Sequence, residues 1–495
     1  MKPGRTRSRR NWPWLGLCAL LFACSPSQPT QAGAPPNILF ISIDSLRPDH
    51  LGCYGYQKPT SPFIDSLATK GVRFENAVST TSWTLPSHAS MFTGLLGKTH
   101  GLVDNGMSLS EDQVTLAELL KGEGYHTAGF FGGPYLHPTF GLHQGFDHYE
   151  SCMSNAFDGL SGDQVRDVEM SATPPSHTDI TGPRTQERVA AWAAGRVAQG
   201  DSKPFFLFLH MWDVHYDFNP PDPFREMFVD PKYAGPADGR LMHNQAIRPG
   251  MAQEDLDHVL ALYDGEIRFT DEILKRIFAD LQAKGLLENT LILLTSDHGE
   301  EFLEHDNVGH NKTLFDEVLR IPLIACWTGN IEPGQVVRDQ VQLVDLMPTF
   351  ASFAGFNGKL PSQGVDISPL LAGRSMPARD ALSGLFIDGM SLRALRSNER
   401  KVLRIDDSQP SVFVNLAKYP KEEFQVMIYP ESPRGQKRRE AGQRELEAAL
   451  RRAELFKEIL DRRAPNSIEL TEDMRAELSG LGYLGKDDPS EEQED

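Results

Sequence analysis

Short, almost wholly apolar runs recur along the chain, and they limit the folds open to it more than any other feature does. They occupy residues 37–43, 127–131, 205–209, 291–295 and 322–326. Runs of this length are typical of strands that are covered on both faces, as in a parallel sheet. The segments between them carry helical patterns at 62–70, 115–121 and 254–280. Strands that alternate with helices predict an α/β sandwich.

A change of pattern near residue 382 predicts a second, smaller unit. The stretch 382–430 contains short strand-like runs such as 411–416. Apolar residues then recur at a spacing that places them on one face of a helix. These residues are Leu446, Leu450, Ala453, Phe456 and Leu460. We therefore predict a large domain over 37–381, a small α+β unit over 382–486 and a disordered acidic tail over 487–495.

The N-terminus predicts export rather than a part of the fold. A basic segment precedes the apolar run 14–23, whose length suits an export signal. Residues 21–24, Leu-Phe-Ala-Cys, resemble a bacterial lipobox, which implies removal of 1–23 and lipidation of Cys24. Residues 24–36 are rich in Pro, Ser, Gln and Ala and predict a flexible tether. We expect a lipoprotein whose lipid holds it to the outer membrane, facing the periplasm or the cell surface; an ordinary secretory signal is the alternative.

The chain is acidic, which excludes some partners. Its formal net charge is −19, and removal of the five basic residues of the signal makes it −24. Such a charge argues against nucleic acid and anionic lipid surfaces as partners. An anionic substrate would need a local positive centre, such as a metal ion.

Acidic residues and histidines follow three of the predicted strands. Asp44 comes directly after the run 37–43, the segment 297–300 follows 291–295, and the segment 210–215 follows 205–209. In open α/β sheets, ligands bind at the carboxyl ends of the strands. Carboxylates and imidazoles that converge there make a divalent-metal site. Taken singly, an Asp in such a position is also a common helix cap.

The segment 82–94 places a hydroxyl at the predicted start of a helix. Thr84 precedes Pro86, and small residues follow. Free backbone N–H groups and the helix dipole favour anions at such a position. Metal coordination would activate the Thr84 hydroxyl as a nucleophile. An N-capping Thr with Pro86 in the first turn is the alternative.

Several segments resemble, in chain order, the landmarks of one enzyme family. The first is Asp-Ser-Leu-Arg-Pro-Asp-His-Leu-Gly-Cys-Tyr-Gly at 44–55. The second is Thr-Leu-Pro-Ser-His at 84–88, followed by Thr-Gly at 93–94, which is similar to the nucleophile motif Cys/Ser-x-Pro-Ser-Arg. The others lie at 263–271, 296–301, 320–324, 345–349 and 364–371. Over about 36–485, the chain resembles the sulfatase branch of the alkaline-phosphatase superfamily.

The resemblance implies a fold and a set of roles. The fold would be an alkaline-phosphatase-like sandwich, with a large mixed, mostly parallel sheet between helices and a small C-terminal α+β subdomain. Asp44, Asp297 and His298 would bind one divalent metal ion, and Thr84 would be a further ligand and the nucleophile. His215, in Trp-Asp-Val-His, matches a histidine that contacts the ester.

Further positions would contact the anionic substrate. His310, Asn311 and Lys312 fall where the family has a Lys or His that binds the anion or assists the leaving group, and the three stay open as alternatives. His88, which replaces the Arg of the nucleophile motif, and Arg47 of the first motif are additional candidates for substrate binding.

The departures from the family pattern shape the functional prediction. Working sulfatases convert Cys or Ser at the Thr84 position to formylglycine, which a Thr cannot become because its Cβ carries a methyl group. Ser45 replaces a second Asp of many members, and His298 replaces an Asn, which suits Zn or Mn better than Ca. Asp213 and His215 are two positions apart, unlike the Asp-x-x-x-His of two-metal members, so we predict one ion.

These features resemble the relatives that use a Thr nucleophile. We therefore predict an ester hydrolase that forms a covalent intermediate on Thr84, with phosphate diesters favoured over sulfate esters. The alternatives are a sulfuric ester hydrolase without formylglycine, a transferase of the phosphoglycerol or phosphoethanolamine type, and a lipid-anchored pseudoenzyme.

Overall fold

The computed structural model describes residues 35–104, 107–154, 175–387, 389–405, 411–422 and 433–463. The described residues from Pro35 onward make one compact unit. The predicted signal 1–23, the lipidation site Cys24, nearly all of the tether and the acidic tail 487–495 lie outside the described residues. They stay predictions, as does the domain boundary at 382.

A large sheet of eight strands forms the centre of this unit. The strands are β1 Asn37–Ile43, β2 Val72–Val78, β3 His126–Phe131, β4 His148–Ser151, β5 Phe205–Met211, β6 Thr290–Ser296, β9 Arg320–Cys326 and β10 Gln335–Gln342. Between β6 and β9 the short strands β7 Glu301–Phe302 and β8 Val308–Gly309 pair with each other. The order across the large sheet is β10-β2-β9-β6-β1-β5-β3-β4. Strand β9 is antiparallel to both neighbours and the other pairs are parallel, so the sheet is mixed and mostly parallel, as predicted.

Helices cover both faces of this sheet. The α-helices of the described residues are α1 Pro62–Lys70, α2 Thr84–Thr93, α3 Gly97–His100, α4 Leu116–Gly122, α5 Gly182–Ala198, α6 Gln253–Ala283, α7 Asp316–Leu319, α8 Leu346–Phe353, α9 Ser368–Leu371 and α10 Pro433–Arg463. None of the described helices has the length and apolar character that a bilayer crossing requires.

Successive side chains of β1 enter two separate hydrophobic cores. Ile38 and Phe40 pack in the core that α2, α4 and α8 cover. Leu39, Ile41 and Ile43 pack in the core that α1, α5 and α6 cover. A strand with two buried faces has no polar alternation, which is why its sequence is a nearly continuous apolar run. The predicted strand at 37–43 has the bounds that the structure shows.

The C-terminal subdomain consists of an antiparallel sheet and one long helix. Strands β11 Ala381–Ile387, β12 Met390–Arg396, β13 Arg400–Arg404 and β14 Val412–Asn415 pair in sequence order. Leu446 and Ala449 of α10 pack with Leu395 and Val402 in a small core of their own. The predicted architecture, a large mixed sheet between helices with a small α+β subdomain, is thus confirmed.

Buried charges connect the antiparallel sheet to the α/β core. Lys401 is fully buried, and its Nζ lies 3.0 Å from both Asp316 Oδ1 and Glu422 Oε2. Arg396 donates to the Asp316 carboxylate with Nη2 at 2.8 Å. Removal of one member of a buried ion pair leaves its partner's charge uncompensated and destabilises the fold. These contacts therefore favour one position of the antiparallel sheet against the α/β core.

His305 extends this network and gives it a pH dependence. Its Nδ1 pairs with the Glu317 carboxylate, and its Nε2 donates to the carbonyl of Glu422 at 3.0 Å. Burial alone would lower the pKa of His305, but the Glu317 carboxylate raises it to about 9. The stabilisation by cationic His305 is therefore complete below the unfolded pKa of about 6.5 and disappears as the pH rises through 9.

We predict that His305→Gln lowers the free energy of unfolding by about 2 kcal/mol at about pH 6. The deficit relative to wild type should shrink by about pH 10, because the wild-type imidazole is then neutral. Urea denaturation of both proteins at the two pH values measures this. An equal deficit at both values would show that the charge of His305 contributes nothing.

Candidate active site

The pairing of the central strands places the first polar residues after them side by side. Ile43, the last residue of β1, is in register with Met211 of β5 and with Ser296 of β6. Asp44 and Asp297 therefore emerge next to each other, and both are fully buried. The apolar strands cause this placement, because their register fixes the point at which each segment leaves the sheet.

Thr84 reaches the same place from helix α2, of which it is the first residue. Its Oγ1 lies 3.3 Å from Asp44 Oδ2 and 3.2 Å from His298 Nε2. Hydroxyls from the segment before α2 and from the helix itself fix the turn after β6, because Ser79 and Ser87 donate to the Asp297 carbonyl at 2.5 and 2.8 Å. Thr84 is thus a buried member of the cluster at the start of a helix.

Two histidines are oriented so that their Nε2 atoms face the carboxylates. His298 Nδ1 donates to the carbonyl of Gly299 at 2.8 Å, and His210 Nδ1 donates to the carbonyl of Gly132 at 2.7 Å. Because a carbonyl only accepts, Nδ1 carries the proton and Nε2 has a free lone pair in each neutral ring. The same arrangement orients histidines that bind metal ions.

Two polar atoms at the centre of the cluster lack hydrogen-bond partners among the described residues. Asp297 Oδ1 accepts from the amides of Ser45 and His298 at 3.2 and 2.9 Å. Asp297 Oδ2 has no hydrogen-bond partner among the described residues, and neither does His210 Nε2. His210 Nε2 lies 3.3 Å from Asp44 Oδ2, and His298 Nε2 lies 3.4 Å from Asp297 Oδ2. Donor atoms that share one zinc ion in tetrahedral geometry lie about 3.3 Å apart, so this spacing fits a bound cation.

The chemistry of the donor set also fits a divalent ion. The donor atoms of Asp44, Asp297 and His298 lie within 4.8 Å of one another. Thr84 and His210 add a hydroxyl and a second imidazole to the two carboxylates. His210 was absent from the ligands predicted from sequence, although its place at the end of an apolar run was the available signal.

His88 is held by groups of the protein itself, and its predicted contact with substrate stays a prediction. It is fully buried, and its Nδ1 donates to the Thr84 carbonyl at 2.8 Å while its Nε2 lies 3.0 Å from Ser42 Oγ. Burial, together with nearby His210, lowers the pKa of His88 to about 3. The residue supports the backbone of Thr84, and its engaged Nδ1 is not free to bind an ion.

Arg47 is engaged by neighbouring carboxylates and a carbonyl, and its predicted contact with substrate stays a prediction. Its guanidinium donates to both oxygens of Asp49, at 3.0 and 2.7 Å, and to Glu304 at 2.5 Å. It donates as well to the carbonyl of Glu300 at 3.0 Å. Only 9% of its side chain is exposed. These partners make Arg47 a structural clamp on the loop after β1.

Tyr263 and Asp264 on α6 hold the same loop. The Tyr263 hydroxyl donates to the Ser45 carbonyl at 2.8 Å and accepts from the Arg47 amide at 2.9 Å. The Asp264 carboxylate binds side chains that follow Asp44 in the chain: His50 at 2.8 Å, Tyr56 at 2.7 Å and Lys58 at 2.8 Å. The motif at 263–271 thus acts as a scaffold for the first motif.

His310 and His215 border the cluster on the side away from the sheet. The ring centroid of His310 lies 4.3 Å from that of His298 and 4.9 Å from that of His215. His215 Nδ1 donates to the Tyr216 carbonyl at 2.5 Å, which leaves Nε2 free. Burial lowers the pKa of His215 to about 4 and that of His310 well below its ordinary value. Both rings are therefore neutral near pH 7.

Glu300 contacts the ring of His310. Its Oε1 lies 3.1 Å from His310 Nδ1, and burial together with the charge of Asp44 raises the pKa of Glu300 well above its ordinary value. A protonated Glu300 donates to His310 Nδ1, so His310 carries its own proton on Nε2. The sequence placed Glu300 near the site without a role.

Asn311 and Lys312 follow His310, and their predicted contact with substrate stays a prediction. Lys312 Nζ donates to the Val308 carbonyl at 2.6 Å. The Asn311 amide donates to the Ser82 carbonyl at 2.9 Å, and its backbone has a φ of 62°. Asn311 thereby ties the His310 segment to the one that leads into Thr84.

We predict that His210→Gln lowers the affinity for Zn²⁺ at least tenfold, because it removes a donor from the cluster. His88→Gln, the matched control, should retain wild-type affinity, since both nitrogens of His88 already have partners. Equilibrium dialysis with metal analysis measures both. Equal loss in the two variants would contradict the proposed difference in their roles.

Comparisons with known proteins agree with this geometry. The sequence profile of the sulfatase family matches residues 36–356. Arylsulfatase A of Bos taurus is 30% identical over 397 residues, which cover 71% of this chain and 70% of the relative. The multifunctional alkaline phosphatase superfamily protein PehA of Trinickia caryophylli is 26% identical over 404 residues, 68% of this chain and 77% of the relative. The crystal structure of the phosphonate monoester hydrolase of Agrobacterium radiobacter superposes with a TM-score of 0.68 at 22% identity, over 84% of this chain and 96% of that one. The chain belongs to the sulfatase family and is an ester hydrolase of the alkaline-phosphatase superfamily.

Proposed function

We propose that this hydrolase cleaves phosphate esters, diesters above all, through a covalent intermediate on Thr84. The observation that carries the proposal is the position of the Thr84 hydroxyl. It lies 3.3 Å from Asp44 Oδ2 and 3.2 Å from His298 Nε2, at the first residue of α2. A hydroxyl among prospective metal ligands, at a helix end that favours anions, suits in-line attack on an esterified oxyanion.

The identity of residue 84 favours phosphorus over sulfur. Family members that cleave sulfate esters use a formylglycine, an aldehyde hydrate made from Cys or Ser. Thr84 cannot be converted to it, because the methyl group on its Cβ blocks formation of the aldehyde. A simple hydroxyl can form and break a phosphoester bond. The names of PehA and of the phosphonate monoester hydrolase accord with phosphorus chemistry on this fold.

The ligand set favours Zn²⁺ or Mn²⁺ over Ca²⁺. Two imidazoles, from His298 and His210, face the carboxylates of Asp44 and Asp297, and Ca²⁺ prefers an all-oxygen set. A bound ion of this kind supplies positive charge that lowers the pKa of the Thr84 hydroxyl and neutralises the ester oxygens.

The proposed reaction has two successive displacements at phosphorus. The Thr84 hydroxyl first loses its proton to solvent; the alkoxide then attacks phosphorus, a P–Oγ bond forms, and the P–O bond to the alcohol breaks. The departing alkoxide takes the Nε2 proton of His310, which Glu300 replenishes through Nδ1. Water next attacks phosphorus and gives one proton to His310, while the P–Oγ bond breaks and Thr84 leaves as the alkoxide that attacks the next ester. His215, with its free Nε2 lone pair, accepts a hydrogen bond from the attacking water.

Sulfate ester hydrolysis is the second candidate, and family membership with the similarity to arylsulfatase A supports it. It would require the Thr84 hydroxyl to attack sulfur directly. A transferase would differ only in the final step, where an acceptor alcohol replaces water. The preserved cluster of Asp44, Thr84, Asp297 and His298 argues against a pseudoenzyme.

We predict that the Zn²⁺-loaded protein without residues 1–24 hydrolyses an aryl phosphate diester faster than the aryl phosphate monoester or aryl sulfate. Thr84→Ser should keep the diester activity, whereas Thr84→Ala should lower kcat on the order of 10⁴-fold, because the nucleophile is lost. Steady-state release of the aryl alcohol measures the rates. Mass spectrometry of rapidly quenched wild type should find phosphate on the peptide that contains Thr84.

Metal content serves as the control, since Thr84→Ala must retain its ion for the loss to report on the nucleophile. Aryl sulfate as the fastest substrate would favour the second candidate. Equal diester turnover by Thr84→Ala would refute the covalent mechanism.

We predict that His310→Gln lowers kcat/KM for an alkyl leaving group by roughly 10²- to 10⁴-fold and for 4-nitrophenol only slightly. The alkoxide needs a proton from Nε2 as it departs, whereas nitrophenolate is a stable anion. A series of diesters with leaving groups of different pKa measures the dependence. His215→Gln is the comparison, and a leaving-group effect in that variant alone would reassign the acid to His215.

A further inference from the structure

Three further residues with metal-binding side chains converge beside the active site. His177 lies in the 3₁₀ turn Pro175–Thr178 that precedes α5. Asp217 and His243 lie in the irregular segment that joins β5 to α6. One donor atom from each residue lies within 4.8 Å of the others. None of the three belongs to the cluster around Thr84.

Two polar atoms of this group are buried without a hydrogen-bond partner. His177 Nδ1 and Asp217 Oδ1 have no hydrogen-bond partner among the described residues, although solvent scarcely reaches either atom. Asp217 is 6% exposed as a whole. Buried polar atoms in folded proteins are nearly always paired, so an unpaired nitrogen and an unpaired carboxylate oxygen in one place indicate a missing partner. With the proton of His177 on Nε2, a divalent cation would take a lone pair from both atoms at once.

The backbone holds the group in place. The Asp217 amide donates to the His177 carbonyl at 3.2 Å, so the two segments are joined before any ligand binds. The rings of His177 and His243 are stacked, with centroids 6.2 Å apart. His177 and Asp217 also line a small cavity with Trp212.

We propose that His177, Asp217 and His243 bind a second divalent cation of the zinc class. Two imidazoles and one carboxylate are a common set of three protein ligands for zinc, and they leave a fourth position open. With one carboxylate, the bound ion keeps a positive charge, so the open position suits water or an anionic group. Asp213, whose spacing from His215 departs from the Asp-x-x-x-His of two-metal relatives, accepts from the amide of Thr181 at 2.6 Å.

The second ion would lie close to the reacting ester without sharing ligands with the first. The ring of His215 has its centroid 5.3 Å from that of His177 and 4.9 Å from that of His310, whose ring lies 4.3 Å from that of His298. An ion held by His177, Asp217 and His243 would join segments on both sides of His215. It would thereby fix the wall of the site from which His215 projects.

The stoichiometry of zinc binding tests the proposal without reference to activity. The full chain is stripped with a chelator, dialysed against Zn²⁺ and analysed for metal. We expect two ions per chain in the wild type and one in His243→Ala, whose side chain is exposed and whose loss should not impair folding. Asp297→Asn should also bind one ion, and the double variant none.

His143→Ala is the matched control, because His143 is exposed and belongs to neither group. It should bind two ions. Zinc should raise the melting temperature of Asp297→Asn but not that of the double variant, since only the former retains the second group. A His243→Ala protein that binds as many ions as the wild type would overturn the proposal.

Discussion

Two carboxylates buried side by side at the end of the central strands are the constraint on which the rest of the site depends. Asp44 and Asp297 have no exposed surface, and strand register leaves them no freedom to separate. Burial raises the pKa of both groups, but His210, with His215 and His298, holds that of Asp44 well below its ordinary value. Burial and the charge of Asp44 raise the pKa of Asp297 to about 6. Such a pair favours a cation, which relieves both the repulsion and the desolvation.

Backbone carbonyls of the surrounding structure orient the histidine rings around these carboxylates. Gly132, Gly299 and Tyr216 each accept from the Nδ1 of a histidine, and each leaves an Nε2 pointing towards the cluster. The carbonyls belong to strand ends and to the loops after them, so the sheet sets the ring orientations as well as the positions of the carboxylates. This is why the site requires little adjustment of side chains before it can act, and preorganisation of this kind is the main source of electrostatic catalysis.

The parts of this arrangement that the sequence predicted are those that local pattern determines. Apolar runs located the central strands to within one or two residues, and the strand ends identified Asp44 and Asp297. The partners of Arg47 could not be read in the same way, because its bond to Glu304 spans 257 positions. The orientation of His210 depends on a carbonyl 78 positions away, and the group of His177, Asp217 and His243 forms between segments that lack any periodicity. These partners are determined by contacts between segments that are distant in the chain. No residue spacing in a single sequence indicates which distant segments will meet.

Residues 45, 84 and 298 depart from the family pattern, and the three departures fit together when the net charge of the proposed metal site is considered. Ser45 donates to Asp44 Oδ1 at 2.8 Å where many relatives have another carboxylate, and His298 is neutral when it offers Nε2. Two carboxylates therefore balance one divalent ion, and the Thr84 oxygen adds its negative charge only as it loses its proton. The charge that then develops on the ester must be met by groups outside the ligand set. His310, the start of α2 and any positive centre beside His215 are the features of this chain placed to meet it.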